Sequence, residues 1–178
     1  MIGPLLNNPS LQYERSRRLL AAADAALARV HASLTQPGSD WSTDLVAPLS
    51  ESLVWLVSLE DLLADAVGTY WGQHADDPDG AVMGGVRYAR NAVVHGDLVL
   101  AATYVSPGAV LGAAPLGTFA LGAGPHVAWA ARSEINHTPI ATPHLSAQEQ
   151  SYDAKIAGRD VLPPLQNALA FLLAAAGP

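Results

Sequence analysis

Apolar residues in the first third of the chain recur with the period of a helix: Leu19, Leu20, Ala23, Leu27 and Val30 fall along one side. Asn8 has a side chain that caps free backbone donors, and Pro9 is tolerated in a first turn, so a helix is predicted over about 9–34. The run TQPGSD ends it. A second helix follows, from about 43 or 50, depending on how Pro48 is accommodated, to about 74. Leu53, Leu56, Val57, Leu63, Val67 and Tyr70 form one stripe of it, and Val54, Trp55, Leu59 and Leu62 spill round the side. A helix apolar on more than one side is buried between neighbours or lies in a subunit contact. A third helix is predicted over about 80–95, with Val82, Val86, Ala89 and Val93 within roughly 60° of one another, and Gly96 just past its end.

The pattern changes over 97–145, where short apolar segments (LVLAATYV, HVAWAA) alternate with glycine and proline. These read as loops with a β-hairpin. The echo between LGAAPLG and ALGAGP is too short for a structural repeat. Ser146-Ala-Gln-Glu149 has the form of a capping box and opens a last helical region. Pro163-Pro164 should kink or split that region before LQNALAFLLAAA. The predicted fold is all-α: one domain over 1–178, a bundle of four to five helices with a Gly/Pro-rich loop or β-hairpin insertion at about 97–145.

Composition narrows the function. Sixteen acidic against nine basic residues give a net charge of −7, so the molecule as a whole repels phosphate and any nucleic-acid contact must be local. The absence of cysteine excludes disulfides, thiolate nucleophiles and cysteine-ligated metals. The first eighteen residues lack the basic start, apolar run and cleavage site of a signal peptide, which leads to the expectation of a cytoplasmic protein. Residues 98–131 carry no charged side chain, but Pro107, Pro115 and Pro125 and five glycines leave no continuous span of helix-compatible residues, so no membrane helix is expected.

The candidate chemistry lies on the polar side of the third helix, in RYARNAVVHG. Arg87, Asn91 and His95 follow at intervals of four and stack along one side, with Arg90 at the flank between that line and the apolar stripe. The five-residue step from Arg90 to His95 turns the two about 140° apart on an ideal helix. Loosening of the helix near Gly96 brings them closer. So does a second copy facing the first across a twofold axis. The bland alternative is ordinary capping, since cations are favoured at a helix C-terminus.

Arg90-Asn91-x-x-x-His95 resembles the Arg-polar-x(3–5)-His signature of the HEPN superfamily, and the tail over 152–172 is similar to the closing helix of small actinobacterial and phage proteins that carry this motif. The resemblance implies a four- to five-helix bundle, often dimeric, and a metal-independent endoribonuclease of toxin or phage-defence type that needs no cofactor. By the same resemblance His95 acts as general base or acid, Arg90 holds the scissile phosphate, and Asn91 orients His95 or the phosphate. Arg87 adds a further contact to substrate. The partners implied are RNA, a second copy of the chain and an antitoxin or other protein. Members paired with a nucleotidyltransferase antitoxin carry a tyrosine two residues after the histidine; here Asp97 stands there, which speaks against regulation by modification at that position. A competing expectation is a non-catalytic helical interaction module of phage or prophage origin, motivated by the two-sided second helix and the uncharged insert.

Other polar groups have simpler readings. His74, Asp76, Asp77 and Asp79 lack calcium-loop spacing and read as a solvated turn, and His137 and His144 lie in a proline-rich loop, so no metal site is expected. Glu60-Asp61 is either solvent-facing or a polar contact within the bundle. YERSRR, with Arg15, Arg17 and Arg18, reads as a solvated helix face able to contribute to phosphate steering.

Overall fold

The computed structural model describes residues 9–35, 41–66, 70, 74, 77–95, 99–103, 126–135 and 143–176. Over these the chain forms an all-α bundle: α1 (Pro9–Thr35), α2 (Trp41–Asp44), α3 (Val46–Ala66), α4 (Val82–Val94), α5 (Leu145–Lys155) and α6 (Leu162–Ala176). Pro48 falls in the first turn of α3, where its missing N–H removes no helical bond, so the helix starts ahead of it at Val46. Tyr70 and His74 also lie in helical backbone. Asn8, Val67, Asp76, Gly96, Asp97 and His137, each given a role above, lie outside the described residues.

α3 is the centre of the bundle and packs against α1, α2, α4 and α6. Its expected burial on several sides is what the structure shows, with Leu53, Leu56, Val57, Leu59, Leu62 and Leu63 all buried. Each such side chain removed from water stabilises the fold by about 1.5–3 kcal/mol before entropy is charged against it. On α4, Val82, Val86 and Ala89 are buried as the period predicts, while Val93 is only partly covered and Val94 is 60 % exposed at the helix end.

α4 and α5 approach closely because Gly84 and Gly85 face α5. A Cβ on Gly85 would lie 2.8 Å from Ile156 Cδ1 and 3.0 Å from the Tyr152 backbone. The Ser151 hydroxyl fastens the contact, accepting from Gly85 N–H at 2.7 Å and donating to Ala81 O at 2.6 Å.

Ser146 does not cap α5. The helix begins one residue earlier with His144 as N-cap and no side-chain cap bond, and the Glu149 carboxylate turns instead to Arg132, at 3.3 Å. An interresidue ion pair thus takes the group that a capping box would use. The split expected at Pro163-Pro164 falls just ahead of them: α5 ends at Lys155, and both prolines sit in the first turn of α6, where fixed φ favours the helix.

The expected hairpin is present as β1 (Leu100–Thr103) paired antiparallel with β2 (His126–Trp129), Leu100 opposite Trp129 and Thr103 opposite His126. On the other side β2 pairs with the chain after α5, through Trp129 N–H to Arg159 O and Gly158 N–H to Trp129 O, both at 2.9 Å. The buried Trp129 indole donates to Val161 O at 3.1 Å, and Tyr152 Oη donates to Ala130 O at 2.8 Å. Both ends of the insert are therefore tied to the bundle. Among the described residues no helix is long and apolar enough to cross a membrane.

Candidate active site

The polar residues of α4 divide into two groups. The inner one centres on Arg87, whose side chain is 20 % exposed and points to α3. There its Nε forms an ion pair with Glu60 and its terminal nitrogen bonds Asp61. Glu60 lies three residues beyond Val57 and four beyond Leu56, in the middle of the apolar stripe of α3, and its side chain is 1 % exposed. Its Oε1 accepts from Tyr70 Oη at 3.0 Å and lies 3.7 Å from His74 Nε2. Phe171 of α6 closes the group, 5.8 Å from the Tyr70 ring and edge-on to His74 at 6.0 Å.

Burial sets the electrostatics of this cluster. It raises the Glu60 carboxyl above the usual carboxylate range, although Arg87 and the Tyr70 hydroxyl pull it back. Burial, with the Glu60 charge second, pushes Tyr70 well above the usual phenol range. His74 is held below the usual histidine range by burial and then by the Arg87 charge, even with Glu60 nearby. Burial opposes the Arg87 charge, and Glu60 and Asp61 together outweigh it, so this guanidinium stays firmly protonated.

The outer group is Arg90, Asn91 and His95. Arg90 and Asn91 are half-buried, and Arg90 Nε is enclosed with no hydrogen-bond partner among the described residues. His95 is exposed and forms the C-cap of α4, with φ −87° and ψ 5°. Its backbone N–H reaches back to Asn91 O at 3.2 Å and Ala92 O at 3.1 Å, so the helix tightens rather than unwinds as it delivers the imidazole to solvent. Val94 beside it adds an exposed apolar surface.

The four residues singled out in the sequence therefore do not form one cluster. Arg87 is brought together with Glu60 and Asp61, and a phosphate reaching it must compete with two carboxylates. Of the two readings of Glu60, the polar contact within the bundle is the one observed. The participation of Tyr70 and His74 was missed, and the available signal was a lone carboxylate centred in an apolar stripe, which demands polar partners. Residues 77–80 form a turn, in which Asp77 Oδ1 accepts from the N–H groups of Asp79, at 2.7 Å, and Gly80, at 3.1 Å; His74, expected in that solvated turn, lies instead in helical backbone and partly buried beside Glu60. Among the described residues no three His, Asp or Glu side chains are placed to hold a metal ion.

No family model, curated protein or solved structure matches the chain.

Proposed function

We propose that the protein is an endoribonuclease of HEPN type working as a homodimer, with the outer group of α4 as its chemical part. The observation that carries this reading is the pairing, on one helix end, of the exposed imidazole of His95 with the half-buried Arg90, whose enclosed Nε has no acceptor among the described residues. A guanidinium suits a phosphate oxygen, and an imidazole at an exposed helix end suits proton transfer.

In this mechanism His95 takes the proton of a ribose 2′-hydroxyl as its oxygen attacks phosphorus. The bond to the 5′-oxygen breaks and that oxygen takes the proton from the imidazolium so formed, which leaves a 2′,3′-cyclic phosphate, a 5′-hydroxyl and His95 neutral again. Arg90 holds the charge that develops on the phosphoryl oxygens, and Asn91 fixes the direction of the imidazole or the phosphate. The angular separation of Arg90 and His95 along the helix is met by a twofold partner, which sets the arginine of one copy beside the histidine of the other. Arg87, engaged by Glu60 and Asp61, braces α4 against α3 and is the weakest of the four as a substrate contact.

The test is incubation of bacterial RNA with purified protein in EDTA, with His95→Ala as control and end-group analysis of the fragments. Cutting by the wild type alone, with cyclic phosphate ends, is the expected result. A protein that leaves RNA intact shifts the reading to a helical interaction module. The observation favouring that second reading is an open groove between α1 and α3, about 500 Å³, lined by Ala22, Ala25, Val54 and Trp55, with Val54 exposed.

A further inference from the structure

The segment LPPLQNALAFLLAAA, which forms α6, contains no charged side chain. Part of it nevertheless faces outward: Pro163, Gln166, Asn167, Ala170, Leu173 and Ala174 are exposed, Leu173 by 50 %. Charged residues are depleted where a surface is covered, so an outward helix face without charge has the composition of a contact rather than of a solvated side.

Beside this face lies a groove between α1 and α6, about 340 Å³ in volume. Leu27, Leu162, Leu169 and Leu173 make its apolar part, and Asp24 and His31 stand on the α1 side. Both are exposed, and neither side chain has an ion pair or hydrogen bond among the described residues. Seven residues apart, they lie within about 20° of one another round the helix and roughly 10 Å apart along it. Leu27 and Ala28 sit midway, and Ala28 is exposed. An acceptor and a donor are thus set symmetrically on either side of a small residue.

We propose that this α1–α6 face is an interface between two copies of the chain, related by a twofold axis that passes beside Ala28. A twofold contact sets a patch against itself, so it holds only where the patch is complementary to itself. Two antiparallel α1 helices crossing at Leu27 and Ala28 bring Asp24 of one copy to the partner's His31, and the same pair forms again on the other side of the axis. An imidazole N–H donates to a carboxylate whether the ring is neutral or charged. The small Ala28 lets the helices approach, and Leu173 is removed from water. A patch of one sign would repel its own copy, and an unrelated partner would need no such symmetry. Arg90, Asn91 and His95 do not line this groove, so the contact is additional to the pairing at the end of α4 and does not rest on the nuclease reading.

The experiment is sedimentation velocity of the purified protein over a concentration series. The wild type should show a monomer–dimer step, or a dimer–tetramer step where the α4 ends also pair. Asp24→Arg sets a cation against the donors of the imidazole, and His31→Glu sets two carboxylates face to face. Each change enters the contact twice, so each should raise the Kd of that step by at least about tenfold. Leu173→Asp, which would bury a carboxylate without a partner, should do the same. An equimolar mixture of the Asp24→Arg and His31→Glu proteins should recover a Kd near that of the wild type. In the mixed pair the introduced arginine meets the introduced glutamate, and the remaining Asp24 meets the remaining His31. Far-UV circular dichroism of these exposed variants should match the wild type.

A wild type without the step overturns the proposal and leaves the face to a different protein or to solvent. The wild-type Kd in Asp24→Arg and His31→Glu also overturns it. A mixture as weak as its two components overturns the antiparallel twofold, and the wild-type Kd in Leu173→Asp takes α6 out of the contact and overturns the face as described.

Discussion

Removing one member of a buried ion pair leaves the other charge without compensation, which is why the Glu60–Arg87 contact has large single-mutant costs. Glu60→Ala is expected to lower unfolding free energy in urea by on the order of 3 kcal/mol, and Arg87→Ala by about 2 kcal/mol, because Arg87 is partly open to solvent. The double variant should cost clearly less than the sum; additive costs would show that the two do not act on one another. His74 adds a pH signature. Its pKa is lowered in the fold, so its contribution is fully present above the unfolded value of about 6.5 and is lost as pH falls through the lower folded value. Glu60, raised by burial, works in the opposite sense: its contribution is present below about pH 4.3 and fades as pH rises through its folded value. The stability difference between wild type and His74→Gln should therefore shrink from about pH 7 to about pH 5. A difference constant with pH would contradict this account of the ring.

At the scale of elements, the close approach of α4 and α5 is the most sensitive joint. Gly85→Ala places a methyl carbon against Ile156 and the Tyr152 backbone, and overpacking of this kind costs about 1–3 kcal/mol, measurable as a lower urea midpoint. An unchanged midpoint would mean that α5 yields freely. The same elements show what could be read in advance. Stripes such as Leu53, Leu56, Val57 and Leu63 have one simple consequence, burial, and α1, α3 and α4 were predicted from them. The start of α5 was misplaced because a hydroxyl and a carboxylate at capping spacing also find other partners: Glu149 binds Arg132, which lies far off in sequence. The partners of Glu60 were hidden for the same reason. Tyr70 is ten residues on and Arg87 comes from another helix, and periodicity reports only which side a residue occupies, not what meets it there.

For the molecule as a whole, the central idea is a division of labour along α4. Its inner residues hold the helix in the bundle, and its outer residues are the ones proposed to act on RNA, at an end where a second copy would complete the site. The sequence placed Arg87, Asn91 and His95 on one line with Arg90 at its flank; the separation of Arg87 from the others depends on the carboxylates of α3, which no local spacing reveals. The most direct measurement compares RNA cleavage in EDTA and urea stability for Arg87→Ala, Arg90→Ala and His95→Ala. The account predicts that Arg90→Ala and His95→Ala each lose cleavage by about 10²-fold or more while stability stays within about 1 kcal/mol of wild type, and that Arg87→Ala loses mainly stability. Wild-type cleavage rates in Arg90→Ala and His95→Ala would contradict it.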